Sequence, residues 1–220
     1  MKRDLTTSAI ALVLFTVLLG LVYPLVITGV GQLAFPGDTN GQKVYLDGRL
    51  VGSKIIGQSF QKPVLEKDGK PKEVKGVIVT EPDPAYFQSR PSATEGGAYN
   101  AAASTFSNRG PNDKATEEAD AENIKAFLEL EQPYDPGLTV AKIPVDAINT
   151  SASNLDPEIS SANAWIQAHR IAAVRHLTIA VVDGLISKYT SGRGLGFSGE
   201  PGVNVLELNL ALDRLTGGTH

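Results

Sequence analysis

Two regimes of hydrophobic spacing divide the chain. After Asp4 no charged residue occurs until Asp38, and the stretch from Ala9 to Val30 is apolar almost without interruption. A helix of about 20 residues crosses a hydrocarbon core of about 30 Å. The run therefore predicts one transmembrane helix over residues 9–33. Pro24 lies inside it and predicts a kink, which a membrane helix tolerates when neighbouring groups satisfy the freed carbonyl. Gly20, Gly29 and Gly31 would let another helix approach closely. A cleaved secretory signal has a shorter apolar region, about 7–15 residues, ending in a small-x-small site. The run is longer than that, so the expectation is a permanent anchor. Lys2 and Arg3 precede the span, and the positive-inside rule assigns residues 1–8 to the cytoplasm and residues 38–220 to the outside.

Beyond Asp38 the pattern shifts to short periodic segments separated by Pro, Gly and Asn. Asp47-Gly48 stands between Val44–Leu46 and Leu50-Val51, a type I′ hairpin signal. The charged segment 62–75 predicts an exposed loop or a peripheral hairpin. Residues 83–112 carry no clear period, yet Tyr86, Phe87, Tyr99 and Phe106 are interleaved there, which argues for an ordered irregular segment. Residues 113–131 predict a helix capped by Asp113, with Ile124, Phe127 and Leu128 on one face and Pro133 and Pro136 beyond its end. Residues 142–160 predict a strand or extended segment leading to a turn. Asp156-Pro157-Glu158 predicts a helix start continuing through residue 177. Thr178 is placed to cap a further helix, and Val203–Leu210 reads as a terminal core strand. The expected fold class is α+β: one N-terminal transmembrane helix followed by one soluble extracytoplasmic α+β domain.

Composition narrows the chemistry. The net charge of −4 offers no basic footprint for nucleic acid. The chain has no cysteine, which removes disulfides, thiolate catalysis and Cys-based zinc sites. Gly194, Gly196 and Gly199 match the G-x-G-x-x-G spacing of a dinucleotide loop. Such a loop needs a strand before it and a helix after it. Here a predicted helix precedes and a predicted strand follows, so the glycines read as a turn. His169 and His176 stand seven apart, with no H-E-x-x-H spacing, and read as solvated or capping residues. No G-x-S-x-G elbow and no phosphate loop occurs. Gln167 and Arg170 share a helix face with Arg175 slightly off it, and the plain expectation is a structural ion pair with Asp156 or Glu200. A solute pocket, if present, would gather around Arg90, Asn108 and Arg170.

Several blocks occur in order: "GSKIIGQSF", "YFQSRPSA", "YNAAAS", "SNRGPN", "VDAINTSASNLDPEIS", "QAHRIAAVR" and "LGFSGEPGVNVLELNLALD". With the single N-terminal span, the chain closely resembles, over nearly its whole length, the C subunit of the Kdp-type potassium-transporting ATPase of bacteria and archaea. The resemblance implies a small accessory subunit without catalytic residues. Its partners would be a channel-like potassium-translocating subunit, a P-type ATPase subunit, a small hydrophobic subunit and the lipid bilayer. It implies help in assembly and a catalytic-chaperone role that raises the pump's affinity for ATP. No cofactor would be held tightly, and ATP would enter through the pump subunit. Gln167 is the position the resemblance connects with nucleotide contact, against the external placement, since the pump binds ATP in the cytoplasm. The motif residues it marks for partner contact or structure are Gly57, Gln58, Arg90, Pro91, Ser92, Tyr99, Asn100, Asn108, Gly110, Pro111, Asp156, Pro157, Arg170, Arg175, Asn204 and Asn209. The chain has Asn154-Leu155-Asp156-Pro157-Glu158 where the family often has Gly-Leu-Asp-Pro-His, so no role of that histidine carries over. The rival expectation is a membrane-anchored external solute-binding module or hydrolase.

Overall fold

The computed structural model describes residues 2–104, 108–110 and 112–217. The chain divides into two compact units, Met1–Val51 and Gly52–His220. In the first, α1 (Lys2–Val17) and α2 (Tyr23–Ala34) form one helical run joined by a π-helical turn, Leu18–Val22. The run is long and apolar enough to cross a membrane, and none of its side chains is buried by the protein. Pro24 explains the π turn. It cannot donate to the carbonyl four residues back, so the ladder widens just before it and the Tyr23 N–H reaches Leu18 O instead. A short α3 (Pro36–Thr39) follows, then the hairpin of β1 (Lys43–Leu46) and β2 (Arg49–Ser53). Asp47 and Gly48 both have positive φ, 49° and 79°, as the sequence pattern requires of this turn.

The second unit is α+β. The charged segment forms a peripheral ribbon: β3 (Gln61–Pro63) pairs antiparallel with β6 (Thr80–Pro82), and β4 (Glu73–Val74) with β5 (Val77–Ile78). The irregular segment leads to α4 (Lys114–Glu131), whose first turn is capped by the Asp113 carboxylate accepting from Ala115 N at 2.8 Å. Ile124, Phe127 and Leu128 are half-buried, as their spacing predicts. Residues 142–150 are not a strand. Two single 3-10 turns, Val140–Lys142 and Val145–Ala147, carry the chain there.

Two elements depart from the sequence pattern. Glu158–Ser160 is a strand, β7, and not the first turn of a helix. The helix, α5 (Ser161–Val174), begins three residues later with Ser160 as its cap, accepting from Asn163 N at 3.1 Å. Pairing decides this, because β7 forms one edge of a three-stranded antiparallel sheet ordered β7-β9-β8. After α6 (Ile179–Tyr189) come β8 (Thr190–Ser191) and β9 (Gly202–Asn204), the central strand. The expected terminal strand then stops at Asn204. Val205–Thr216 is a helix, α7, with the Asn204 side chain accepting from Glu207 N at 3.1 Å. Nearly every side chain from Val205 to Asp213 is buried, so the apolar pattern carries no clean period. Alternating Val and Leu therefore imitates a strand.

The core lies where α5, α6 and α7 meet the sheet. Ala164, Ala168, Ile171, Val182, Ile186, Val203, Leu208 and Leu212 are fully buried there. Small alanines along α5 allow close approach of α6, and each buried Leu or Ile contributes about 1.5–3 kcal/mol.

Candidate functional site

The irregular segment from Asp83 to Asn100 has almost no regular secondary structure, and its backbone groups still need partners. Side chains from distant helices supply them. Asn209 on α7 grips both polar groups of Phe87: Phe87 N donates to Oδ1 at 2.9 Å, and Nδ2 donates to Phe87 O at 3.0 Å. Gln167 on α5 does the same for Gln88, at 2.7 and 3.0 Å. The two amides act as the neighbouring strand that the segment lacks.

Two arginines bind the preceding carbonyls. Arg170 donates to Pro84 O at 2.6 Å, Tyr86 O at 2.9 Å, Gln167 Oε1 at 2.9 Å and Glu131 Oε1 at 3.0 Å. Arg175 donates to Ala85 O at 2.7 Å and pairs with Asp213 at 2.8 Å, while its guanidinium stacks over the Tyr86 ring at 4.5 Å. The Arg170–Glu131 pair is wholly buried. Burial pushes the Glu131 carboxyl up from its ordinary value, and Arg170 holds it down in part. The partner expected for Arg170 is corrected here. Asp156 pairs with Arg90 at 3.1 Å and Glu200 with Arg193 at 2.8 Å, while Glu131 lies against Arg170 because α4 packs on α5. Arg175 is also no outlier, since as the cap residue of α5 it turns inward to Asp213.

The remaining motif residues close the loop. Tyr99 donates to Arg90 O, and its N–H donates to Ser92 Oγ at 3.0 Å. Ser92 Oγ donates to Asn154 O at 2.8 Å. Burial raises the Tyr99 hydroxyl to about 12. Asn100 caps the 3-10 turn Ala101–Ala103 and donates to Glu95 O at 2.8 Å. Gly57 presses against the Tyr99 ring, and a Cβ there would sit 2.7 Å from Asp156 O, so only glycine fits. Pro157 O accepts from Val205 N at 3.1 Å, and Asn204 Nδ2 donates to Lys54 O at 2.7 Å. Gly110 O accepts from Asp113 N at 3.1 Å. Asn108 is exposed with φ 53°. Pro111, like Phe106, lies outside the described residues.

One open cleft, of about 310 Å³, lies between the segment 88–92 and α4. Gln58, Gln88, Arg90, Pro91, Tyr99, Phe127 and Gln167 are among its lining residues; Asn108 and Arg170 are not, so the three-residue pocket expected from sequence does not assemble. Arg90 Nε is buried there without a hydrogen-bond partner among the described residues. The Gln167 amide lies at the cleft wall with both of its ends engaged inside the protein. Sequence reasoning missed Gln88, Glu131 and Asp213. Asp213 closes the apolar turn Leu210-Ala211-Leu212, a recognisable sign of a buried charge that needs a partner, whereas Glu131 follows Glu129 and carries no such sign.

A comparison with protein families matches residues 5–214 to the family described as "K+-transporting ATPase, c chain". A protein of Methylococcus capsulatus named "Potassium-transporting ATPase KdpC subunit" is 44% identical over 208 residues, 94% of this chain and 96% of its own. Proteins of the same name from Mycobacterium tuberculosis and Dechloromonas aromatica are 43% and 40% identical over 216 residues, 98% of this chain and 100% of theirs. The match takes in the N-terminal apolar helix together with the residues that pin the 83–100 segment. The chain belongs to the KdpC family, the membrane-anchored c-chain subunits of potassium-transporting ATPase complexes.

Proposed function

We propose that this chain is a non-catalytic accessory subunit of a high-affinity, ATP-driven potassium uptake complex. The single observation that carries the reading is the family match across residues 5–214, which covers helix and domain alike. The apolar helix anchors the chain with its N-terminus in the cytoplasm and its α+β domain outside, where the domain braces the channel-like subunit. The ATPase subunit and a small hydrophobic subunit complete the assembly. Supporting a binding role, most of the motif residues are engaged in holding the 83–100 segment in one shape. In this reading the chain assists assembly and acts as a catalytic chaperone, raising the ATP affinity of the pump subunit. ATP is held by that subunit. Gln167 contributes by fixing Gln88 at the cleft, since its own amide is already engaged.

The test is to purify the complex with and without this chain and titrate ATP. A higher KM for ATP without the chain is expected; equal KM values overturn the chaperone role. A reporter fused after Gly37 checks topology, and a cytoplasmic signal overturns the external placement. One observation favours a second reading, external solute binding: the cleft holds a guanidinium Nε, that of Arg90, without a hydrogen-bond partner among the described residues. Unchanged melting temperature across a panel of small carboxylates and amino acids would reject it.

A further inference from the structure

The β8–β9 connection carries the most exposed large apolar side chain among the described residues. Leu195 is 91% exposed and Phe197 77%. They are not on a loose loop. Gly194 and Ser198 exchange both backbone hydrogen bonds, at 2.7 and 2.8 Å, and the Arg193–Glu200 ion pair spans the base at 2.8 Å. Leu195 also holds a left-handed φ of 53°, a conformation unfavourable for a leucine. The fold thus maintains a braced tip that projects two apolar side chains into solvent. Between Ser191 and Pro201 the only charged residues are Arg193 and Glu200, which neutralise one another.

We propose that this tip inserts into the interfacial layer of the lipid bilayer. Three considerations select lipid over protein. The two side chains offer roughly 300 Å² of apolar surface, well short of the roughly 800 Å² per partner of a stable protein interface. A charge-neutral Leu/Phe tip suits the headgroup boundary, where apolar and aromatic side chains partition. Finally, residues 34 and 52 are joined by at most about 60 Å of chain, so the domain stays at high effective concentration beside the membrane that holds its helix. An insertion too weak to recruit a free domain is then sufficient to orient a tethered one. This rests on the reading of Lys2–Ala34 as a membrane span.

The natural chain has no cysteine, so one introduced thiol reports one position. The full-length chain, assembled with its complex in phosphatidylcholine/phosphatidylglycerol nanodiscs, carries the fluorophore NBD at Ser198→Cys, at Leu14→Cys in the span, or at Glu118→Cys on the exposed face of α4. Blue-shifted emission at Ser198→Cys, quenched by headgroup-proximal nitroxide lipids, is expected. The double substitution Leu195→Ser/Phe197→Ser should return the signal to the Glu118→Cys level at an unchanged melting temperature. Water-like emission at the tip, with the span label still quenched by lipid nitroxide, overturns the proposal and leaves the anchor standing. Blue-shifted emission insensitive to nitroxide lipids overturns it in favour of a partner protein covering the tip. Absence of lipid quenching at Leu14→Cys overturns the span reading itself, and the proposal with it.

Discussion

Tyr99 and Glu131 show how single groups hold the cleft region. The Tyr99 hydroxyl donates to Arg90 O. Tyr99→Phe should therefore cost about 1 kcal/mol, read as a lower melting temperature of the full chain in detergent at pH 8. The hydroxyl is raised from 10.0 to about 12 in the fold. Its contribution is complete below pH 10 and is lost as pH rises through about 12, so the gap between wild type and variant should close over that window. Glu131 is also raised, above 4.5. The native state therefore keeps its proton longer than the unfolded chain, and this group's contribution is greatest at acid pH and declines above 4.5. Glu131→Gln should remove that decline, giving a flatter plot of melting temperature against pH from 4.5 to 7. A plot parallel to wild type rejects the assignment. Both residues were visible in the sequence only as types. Tyr99 stood in a resemblance block, but Glu131 closes a helix rich in acids, and only three-dimensional packing separates it from its exposed neighbours.

At the level of elements, local signals were legible where the chain's own chemistry decides. Asp47-Gly48 fixed its hairpin and Asp113 its helix start; the glycines of 194–199 form a turn, but one that links strand β8 to strand β9 and not a helix to a strand. Elements decided by pairing were not legible. Asp156-Pro157 has the composition of a helix start, yet Glu158–Ser160 is taken into the sheet by Gly202–Asn204. Asn204 followed three residues later by Glu207 was a start signal for α7, outweighed by the alternation of valine and leucine. The end of α5 offers a test of local energetics. His176 occupies the left-handed position after the cap with φ 55°, and Leu177 N donates to Ala172 O at 2.9 Å, the Schellman arrangement. Glycine adopts that conformation without penalty. His176→Gly should stabilise the protein by about 0.5–1 kcal/mol, seen as a higher melting temperature; a lower one would show that the imidazole makes a contact of its own.

For the whole molecule, the side chains that bind the 83–100 segment form one device rather than scattered sites. Gln167, Asn209, Arg170 and Arg175 hold the five consecutive carbonyls of residues 84–88 from two helices. Gln167→Ala should raise hydrogen exchange of the Gln88 amide and its neighbours more than tenfold, while amides in the middle of α5 change little. Uniform acceleration across the domain would instead mean global destabilisation. The sequence identified most of these residues but not their common purpose, because a side chain standing in for a strand leaves no period to read.

Because its partners are side chains rather than a strand, the 83–100 segment also inherits a schedule. Gln88 precedes Gln167 by 79 residues, and Phe87 precedes Asn209 by 122. During synthesis the segment emerges long before either amide exists. Gln88 waits for α5, and Phe87 waits for α7, the last helix among the described residues. Closure across such separations is slow compared with helix formation. The long-range pairings of the segment therefore become available in order along the chain, Gln88 with α5 first and Phe87 with α7 last.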